Sequence, residues 1–158
     1  GQEEKTRPVS KSNQLEASLT LPSNKTMSDE QSKAAEAAKE EIPESTIFDK
    51  IVAKEIPSDI VYEDDECMAF KDISPQAPTH IVLIPKKRGN LAKLSLAQES
   101  DKAILGHLMY TAKIVAEKAG IAESGYRVVV NDGKEGCQSV YHLHLHIIGG
   151  RQLTWPPG

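Results

Sequence analysis

An α+β domain is the fold class that this 158-residue sequence predicts, and three observations carry it. From Tyr141 to Ile148 histidine alternates with Leu and Ile, the period-two pattern of a half-buried strand. Two short apolar runs, Ile60–Glu63 and Met68–Lys71, flank the acidic turn Asp64-Asp65-Glu66 as a hairpin would. One long stretch, Ser95 to Ala119, carries Ile104, Leu105, Leu108, Met109, Ala112, Val115 and Ala116 at spacings of three and four, which is helical. This length is enough for one core, so a single domain is expected.

Residues 1 to about 26 are polar, without a periodic apolar face, and are expected to be disordered because they cannot bury enough to offset ordering. They carry Glu3, Glu4 and Glu16 and no apolar core, which argues against a transit or signal peptide. Met27-Ser28-Asp29-Glu30 reads as a plausible start, with the preceding residues an upstream extension. Ser28 to Glu41 are strong helix formers with a weak capping box, Ser28 and Gln31, but the apolar face is only alanine and Pro43 ends it. The expected organisation is therefore an extension over 1–44, disordered or partly helical, and a domain over 45–158.

Ser45 or Thr46 caps a short helix with Ile47, Phe48, Ile51 and Val52 on one face. His80 heads the apolar strand His80–Ile84, which Pro85 stops, and Tyr126–Asn131 is a further strand. Gly120 terminates the long helix, and Gly106 within it suggests a close helix approach. His107 is read as structural.

A net charge of −4 and the absence of a basic stripe argue against nucleic-acid binding. Two separated cysteines, Cys67 and Cys137, do not make a disulfide framework. No apolar run approaches the roughly 20 residues of a membrane span. A soluble chain in a reducing compartment, cytoplasmic or also nuclear, is expected.

On a strand His142, His144 and His146 would share one face at intervals of roughly 6.6 Å. A solvated face would be an odd use of histidine, which is no strong strand former. Two imidazoles at i and i+2 could chelate zinc, though the outer pair, about 13 Å apart, could not share one ion. In phosphoryl or nucleotidyl chemistry the middle ring, flanked on both sides, would be the nucleophile. The turn-rich loop Asn131–Ser139 before it would bring Gln138, Ser139 and free N–H groups to an anion.

Gly136-Cys137-Gln138-Ser139-Val140-Tyr141-His142-Leu143-His144-Leu145-His146-Ile147-Ile148-Gly149-Gly150-Arg151-Gln152, closed by Trp155-Pro156-Pro157-Gly158, resembles the histidine triad superfamily and specifically its Hint branch. Thr46–Ile51, Asp72–His80 and Ile84-Pro85-Lys86 match in the family's order, and the likeness spans about residues 45 to 158. The resemblance implies a five-stranded antiparallel sheet with one long and one short helix, dimerising to a continuous ten-stranded sheet through the long helix and the strand after it. It implies a purine nucleoside phosphoramidase that splits a P–N bond through a nucleotidyl-histidine. Adenylyl sulfate, aminoacyl-adenylate or dinucleoside polyphosphate hydrolysis, a nucleotide-binding scaffold and a zinc-binding regulator are the rival expectations.

By the same resemblance His144 is the nucleophile, and His142, His146 and Ser139 attend the phosphoryl and leaving groups, with His80 behind. Ile47, Phe48, Ile51, Ile56, Phe70, Ile73 and Val82 line the purine pocket. Asp72 holds the ribose hydroxyls, and Asn131, Cys137, Gln138 and Ser139 the phosphate side, with His144 and His146. Trp155 reaches the partner subunit's site on the leaving-group side. No metal or other cofactor is required. Cys137 stands where many relatives carry Gly and sets a thiol beside the site, which would make activity oxidant-sensitive.

Overall fold

The computed structural model describes residues 27–39 and 41–158, so the expected disorder of residues 1–26 lies outside the described residues. Three helices, α1 (Asp29–Ala37), α2 (Ile47–Val52) and α3 (Lys102–Lys118), accompany five strands, β1 (Ile60–Glu63), β2 (Cys67–Lys71), β3 (Thr79–Pro85), β4 (Tyr126–Val130) and β5 (Leu145–Gly149). The strands form one antiparallel sheet in the order β1-β2-β3-β5-β4. The α+β class and the five-stranded antiparallel sheet are thus as expected.

Side-chain alternation sorts the sheet into two apolar faces. Cys67, Ala69, Ile81, Leu83, Leu145 and Ile147 point to α3, where Leu108, Ala112, Val115 and Ala116 close the main core. Met68, Phe70, Val82 and Ile84 point the other way, against Phe48 and Ile51 of α2. The register aligns Phe70 with Val82 and Val82 with His146, so His146 emerges on the α2 face beside two apolar residues. That row carries the site.

The sheet departs from expectation where the histidines begin. The ladder starts only at Leu145, so His142 and His144 precede the strand rather than stand on it. The chain is held there by other partners: Leu143 N–H donates to the Leu91 carbonyl at 2.7 Å, and the Arg88 guanidinium to the Tyr141 carbonyl at 3.2 Å. Leu143 still faces the core at 1 % exposure, but the two flanking imidazoles are buried as well. The file of three imidazoles on one exposed face is therefore not what forms.

α3 is shorter than predicted. Ser95 N–H is drawn to the Asp132 carboxylate at 2.6 Å and Gln98 N–H to Asp101 at 2.8 Å, which breaks the first part into two 3₁₀ turns, Leu94–Leu96 and Glu99–Asp101. A Cβ on Gly106 would meet nothing within 4 Å, so the close approach expected there is not made within the described chain. His107 is structural as read, its Nε2 2.7 Å from Asp64 Oδ2 and joining α3 to the hairpin turn. α1 is also shorter than the expected 28–41, but the Ser28–Gln31 capping box forms and Ala34 is buried to 1 % exposure.

Candidate active site

Thr46 and Asp49 cap α2 reciprocally, which fixes Phe48 against the histidines. The Phe48 ring stands edge-on to Phe70 at 5.6 Å and to His144 at 5.1 Å between centroids. Beside it opens a cavity of about 680 Å³, a size suited to a nucleotide-scale ligand. Ile47, Phe48, Ile51 and Ile56 form its apolar wall on one side, Phe70 and Val82 its floor, and Asp72, Ile73, Ser139, His144 and His146 its far end. Ile73 stands at the rim, 93 % exposed. An adjoining polar cavity of about 410 Å³ is lined by His80, Asn131 and Cys137, and Asp72 and His146 border both. Most of the predicted site residues are thereby brought together.

The hydrogen bonds fix which ring nitrogens are free. His144 Nδ1–H donates to the His142 carbonyl at 2.7 Å, so its Nε2 carries a lone pair at the end of the apolar cavity. Gln76 N–H donates to His80 Nδ1 at 3.0 Å, which leaves the His80 proton on Nε2 to be given to His146 Nδ1 at 2.8 Å. His146 therefore keeps its own proton on Nε2. Asp72 Oδ1 accepts from Ser74 N–H at 2.7 Å, and its Oδ2 lies 3.5 Å from His80 Nε2.

Burial disfavours every imidazolium here. It lowers His144, and it lowers His142 against the pull of the Pro85 carbonyl and Asp49. It lowers His80 despite the opposing charges of Asp72 and Glu30, and it takes His146 down to about 3, with His144 and His80 adding to the effect. All four rings are neutral at pH 7.

Two of the expected site residues stand outside both cavities. His142 is fully buried and lines neither cavity; its Nε2–H is committed to the Pro85 carbonyl at 2.7 Å, and its Nδ1 has no partner, 3.9 Å from Asp49. Its carbonyl takes the His144 Nδ1–H, so it touches the site through its backbone. Gln138 is also fully buried, its amide donating to the Ala92 and Val140 carbonyls and accepting from Gly133 N–H. It knits the loop rather than facing a ligand.

Cys137 does line the polar cavity, at φ +64°, a left-handed conformation that explains why glycine suits this position. Burial raises its thiol, with Glu30 adding to the effect, which holds it away from the reactive thiolate. Neighbouring Gly136 is obligatory, since a Cβ would come 2.3 Å from the Asp132 carbonyl oxygen. Trp155 is 82 % exposed and borders neither cavity of its own chain.

Sequence reasoning found the α1 helix but missed its place at the cavity. Glu30, Ser32, Lys33, Glu36 and Ala37 all line the larger cavity. The spacing of Glu30, Lys33, Ala34 and Ala37 along one helical face was the available signal. Arg88 holds the carbonyls of Pro43, Glu44 and Tyr141 and fastens the root of the amino-terminal arm beside the histidines.

Comparison with known proteins agrees with this arrangement. The chain is 56 % identical over 137 residues to a protein of Arabidopsis thaliana named adenylylsulfatase HINT1, covering 87 % of this chain and 91 % of that one. It is 59 % identical over 124 residues to a 14 kDa zinc-binding protein of Zea mays, covering 78 % and 96 %. Among solved structures, a HIT family hydrolase from Legionella pneumophila superposes with a TM-score of 0.69 at 46 % identity, covering 72 % of this chain and all of that one. A histidine triad nucleotide-binding protein from Candida albicans does so at 0.59 and 31 %, covering 71 % and 83 %. With the HIT domain matched over residues 53–153, and with His144 and His146 lining the open cavity and His142 buried behind them, the chain belongs to the histidine triad family.

Proposed function

We propose that this protein is a purine nucleoside phosphoramidase, hydrolysing the P–N bond of nucleoside 5′-phosphoramidates of the AMP-amine type. The observation that carries the reading is the unprotonated Nε2 of His144 at the inner end of an apolar, base-sized cavity. The purine lies between the α2 residues and the Phe70–Val82 floor, and Asp72 takes the ribose hydroxyls. Nε2 attacks phosphorus, the P–N bond breaks, and the departing amine takes its proton from solvent. Water then attacks the nucleotidyl-imidazole, releasing the nucleoside monophosphate and restoring the ring.

His146, neutral and with its proton on Nε2, and Ser139 donate hydrogen bonds to the phosphoryl oxygens, while Asn131 and the Cys137 backbone approach from the loop side. His80 sets the His146 tautomer and His142 sets that of His144. Quenching turnover of adenosine 5′-phosphoramidate in acid and mapping labelled AMP should find it on His144. An adduct on another residue, or product with no adduct, would overturn the mechanism.

Residues 45–158 form the catalytic domain and act as a homodimer. β4 is an edge strand, and Met109 and Tyr110 on α3 are 55 % and 62 % exposed, which supports pairing there. Trp155 then belongs to the leaving-group side of the partner subunit's site. Truncation after Gln152 should change the preference among leaving groups at least about fivefold while the melting temperature stays within a few degrees; an unchanged preference profile would refute that role.

A zinc-binding reading has one observation in its favour. Asp72, His80 and His146 offer a carboxylate oxygen and two ring nitrogens within 4.8 Å of one another, a donor set that fits zinc. Ion binding there would displace the His80–His146 hydrogen bond that sets the His146 tautomer and would inhibit. Asp64, Cys67 and His107 form a second such group, but Asp64 already accepts from the Tyr62 hydroxyl, and the Cys67 thiol is pushed up to about 12 by burial and Asp64. Metal analysis of protein purified without a metal-affinity resin, alongside activity in excess chelator, separates the two readings.

A further inference from the structure

The turn from Pro85 to Leu91 holds the histidine segment where it has not yet joined the ladder. His142 Nε2–H goes to the Pro85 carbonyl and Leu143 N–H to the Leu91 carbonyl, each at 2.7 Å, and the Arg88 guanidinium reaches the Tyr141 carbonyl at 3.2 Å. The first two donors belong to the histidine segment itself. The last is a side chain of the turn, and it is committed elsewhere as well. Arg88 Nη1 also donates to the Pro43 carbonyl at 2.7 Å, and Nη2 to the Glu44 carbonyl at 2.8 Å. One guanidinium thus fastens together the turn after β3, the chain entering α2 and the residue before His142.

Charge and shape both make this a firm joint. A charged donor shortens and strengthens a hydrogen bond, and the planar fork fixes the direction of each N–H. Nη1 carries two N–H bonds and serves both Pro43 and Tyr141, so these carbonyls are tied to one nitrogen. The guanidinium is also near enough to His142 that its charge joins burial in disfavouring the imidazolium. Arg88 lines neither the apolar nor the polar cavity, so any effect on the reaction runs through what it holds. On one side that is the Tyr141–His142 peptide, next to the carbonyl that takes the His144 Nδ1–H at 2.7 Å. On the other it is the lead into α2, whose Phe48 ring stands edge-on to His142 at 5.8 Å and to His144 at 5.1 Å between centroids.

We propose that Arg88 is a positioning residue for attack at phosphorus: its guanidinium sets the Tyr141–His142 backbone against the start of α2, and so holds the His142 carbonyl where it keeps the His144 proton on Nδ1. The proposal rests on the phosphoramidase reading for its kinetic consequence. A ring freed from that carbonyl can carry its proton on Nε2, and an Nε2–H has no lone pair to offer phosphorus. No contact with the base is removed, so binding is spared while turnover falls.

Arg88→Met keeps an apolar stem and removes all three bonds. On the full chain, well below its melting temperature, single turnover of adenosine 5′-phosphoramidate should slow about tenfold, with AMP affinity within about twofold of wild type. The nitrogen NMR signals of the His144 ring should move from those of one Nδ1–H tautomer toward the average of two, a change that lost stability alone does not produce. Arg88→Lys keeps the charge without the fork and should slow turnover at least about threefold. A rate within about twofold of wild type in Arg88→Met, or unchanged His144 nitrogen signals, would overturn the proposal. Wild-type behaviour in Arg88→Lys would assign the effect to charge rather than to the joint and would overturn it equally. A wild-type chain that does not turn over the phosphoramidate would remove the function beneath the kinetic arm; the nitrogen signals then decide the role of Arg88 on their own.

Discussion

Replacing His144 by alanine is expected to lower turnover by at least about 10⁴-fold while AMP still binds within a few-fold of wild type. No other ring can take over. His142 Nε2 is occupied by the Pro85 carbonyl and the residue is fully buried, so its remaining lone pair faces Asp49 rather than substrate. His146 accepts from His80 through Nδ1, which leaves a proton, not a lone pair, on its Nε2. His80 gives its proton to His146 and accepts from Gln76, so both of its nitrogens are engaged. Binding survives the substitution because the base contacts come from α2, β2 and β3, which do not depend on the imidazole. Single-turnover kinetics and AMP titration by calorimetry measure the two quantities separately. Turnover within tenfold of wild type would mean that the nucleophile is elsewhere.

The sheet and the apolar pocket were legible because each rests on local pattern. Alternation along Met68–Lys71 and His80–Ile84 sends Phe70 and Val82 to one face, and hydrogen-bonded register then sets them side by side with His146. The position of His142 was not legible, because it depends on partners 50 or more residues away: the Leu91 carbonyl that takes Leu143 N–H and the Pro85 carbonyl that takes the ring. Alternating letters describe a strand equally well whether or not its neighbour continues alongside. The burial of Gln138 was not legible either, since its amide is held by Gly133 and Val140 within the loop and by Ala92, 46 residues away. The docking of α1 was obscured by the weakness of its apolar face, since Ala34 is its only buried residue. An alanine stripe predicts a marginal helix and gives no sign of what it lies against.

Acid should destabilise the protein steeply, starting well above the carboxylate range. His80, His142, His144 and His146 all titrate below the ordinary imidazole value in the folded chain, chiefly through burial, and His146 does so only near 3. In the unfolded chain each returns to about 6.5. As the pH falls through 6.5 the unfolded state therefore takes up protons that the folded state refuses, and each unmatched proton removes about 1.4 kcal/mol of stability per pH unit. Above about pH 7.5 both states are neutral at these rings, and this contribution stops changing. Denaturant unfolding at pH 8, 6.5 and 5 should accordingly show a loss that has begun by the second point and is much steeper between the second and the third, with a slope of more than one proton. His146→Asn should flatten that slope by close to one proton, because it removes the ring with the largest gap between its two states. Stability that holds level or rises from pH 7.5 to 5 would mean that the imidazoles are charged in the native protein; the neutral Nε2 of His144 on which attack at phosphorus depends would then be lost as well.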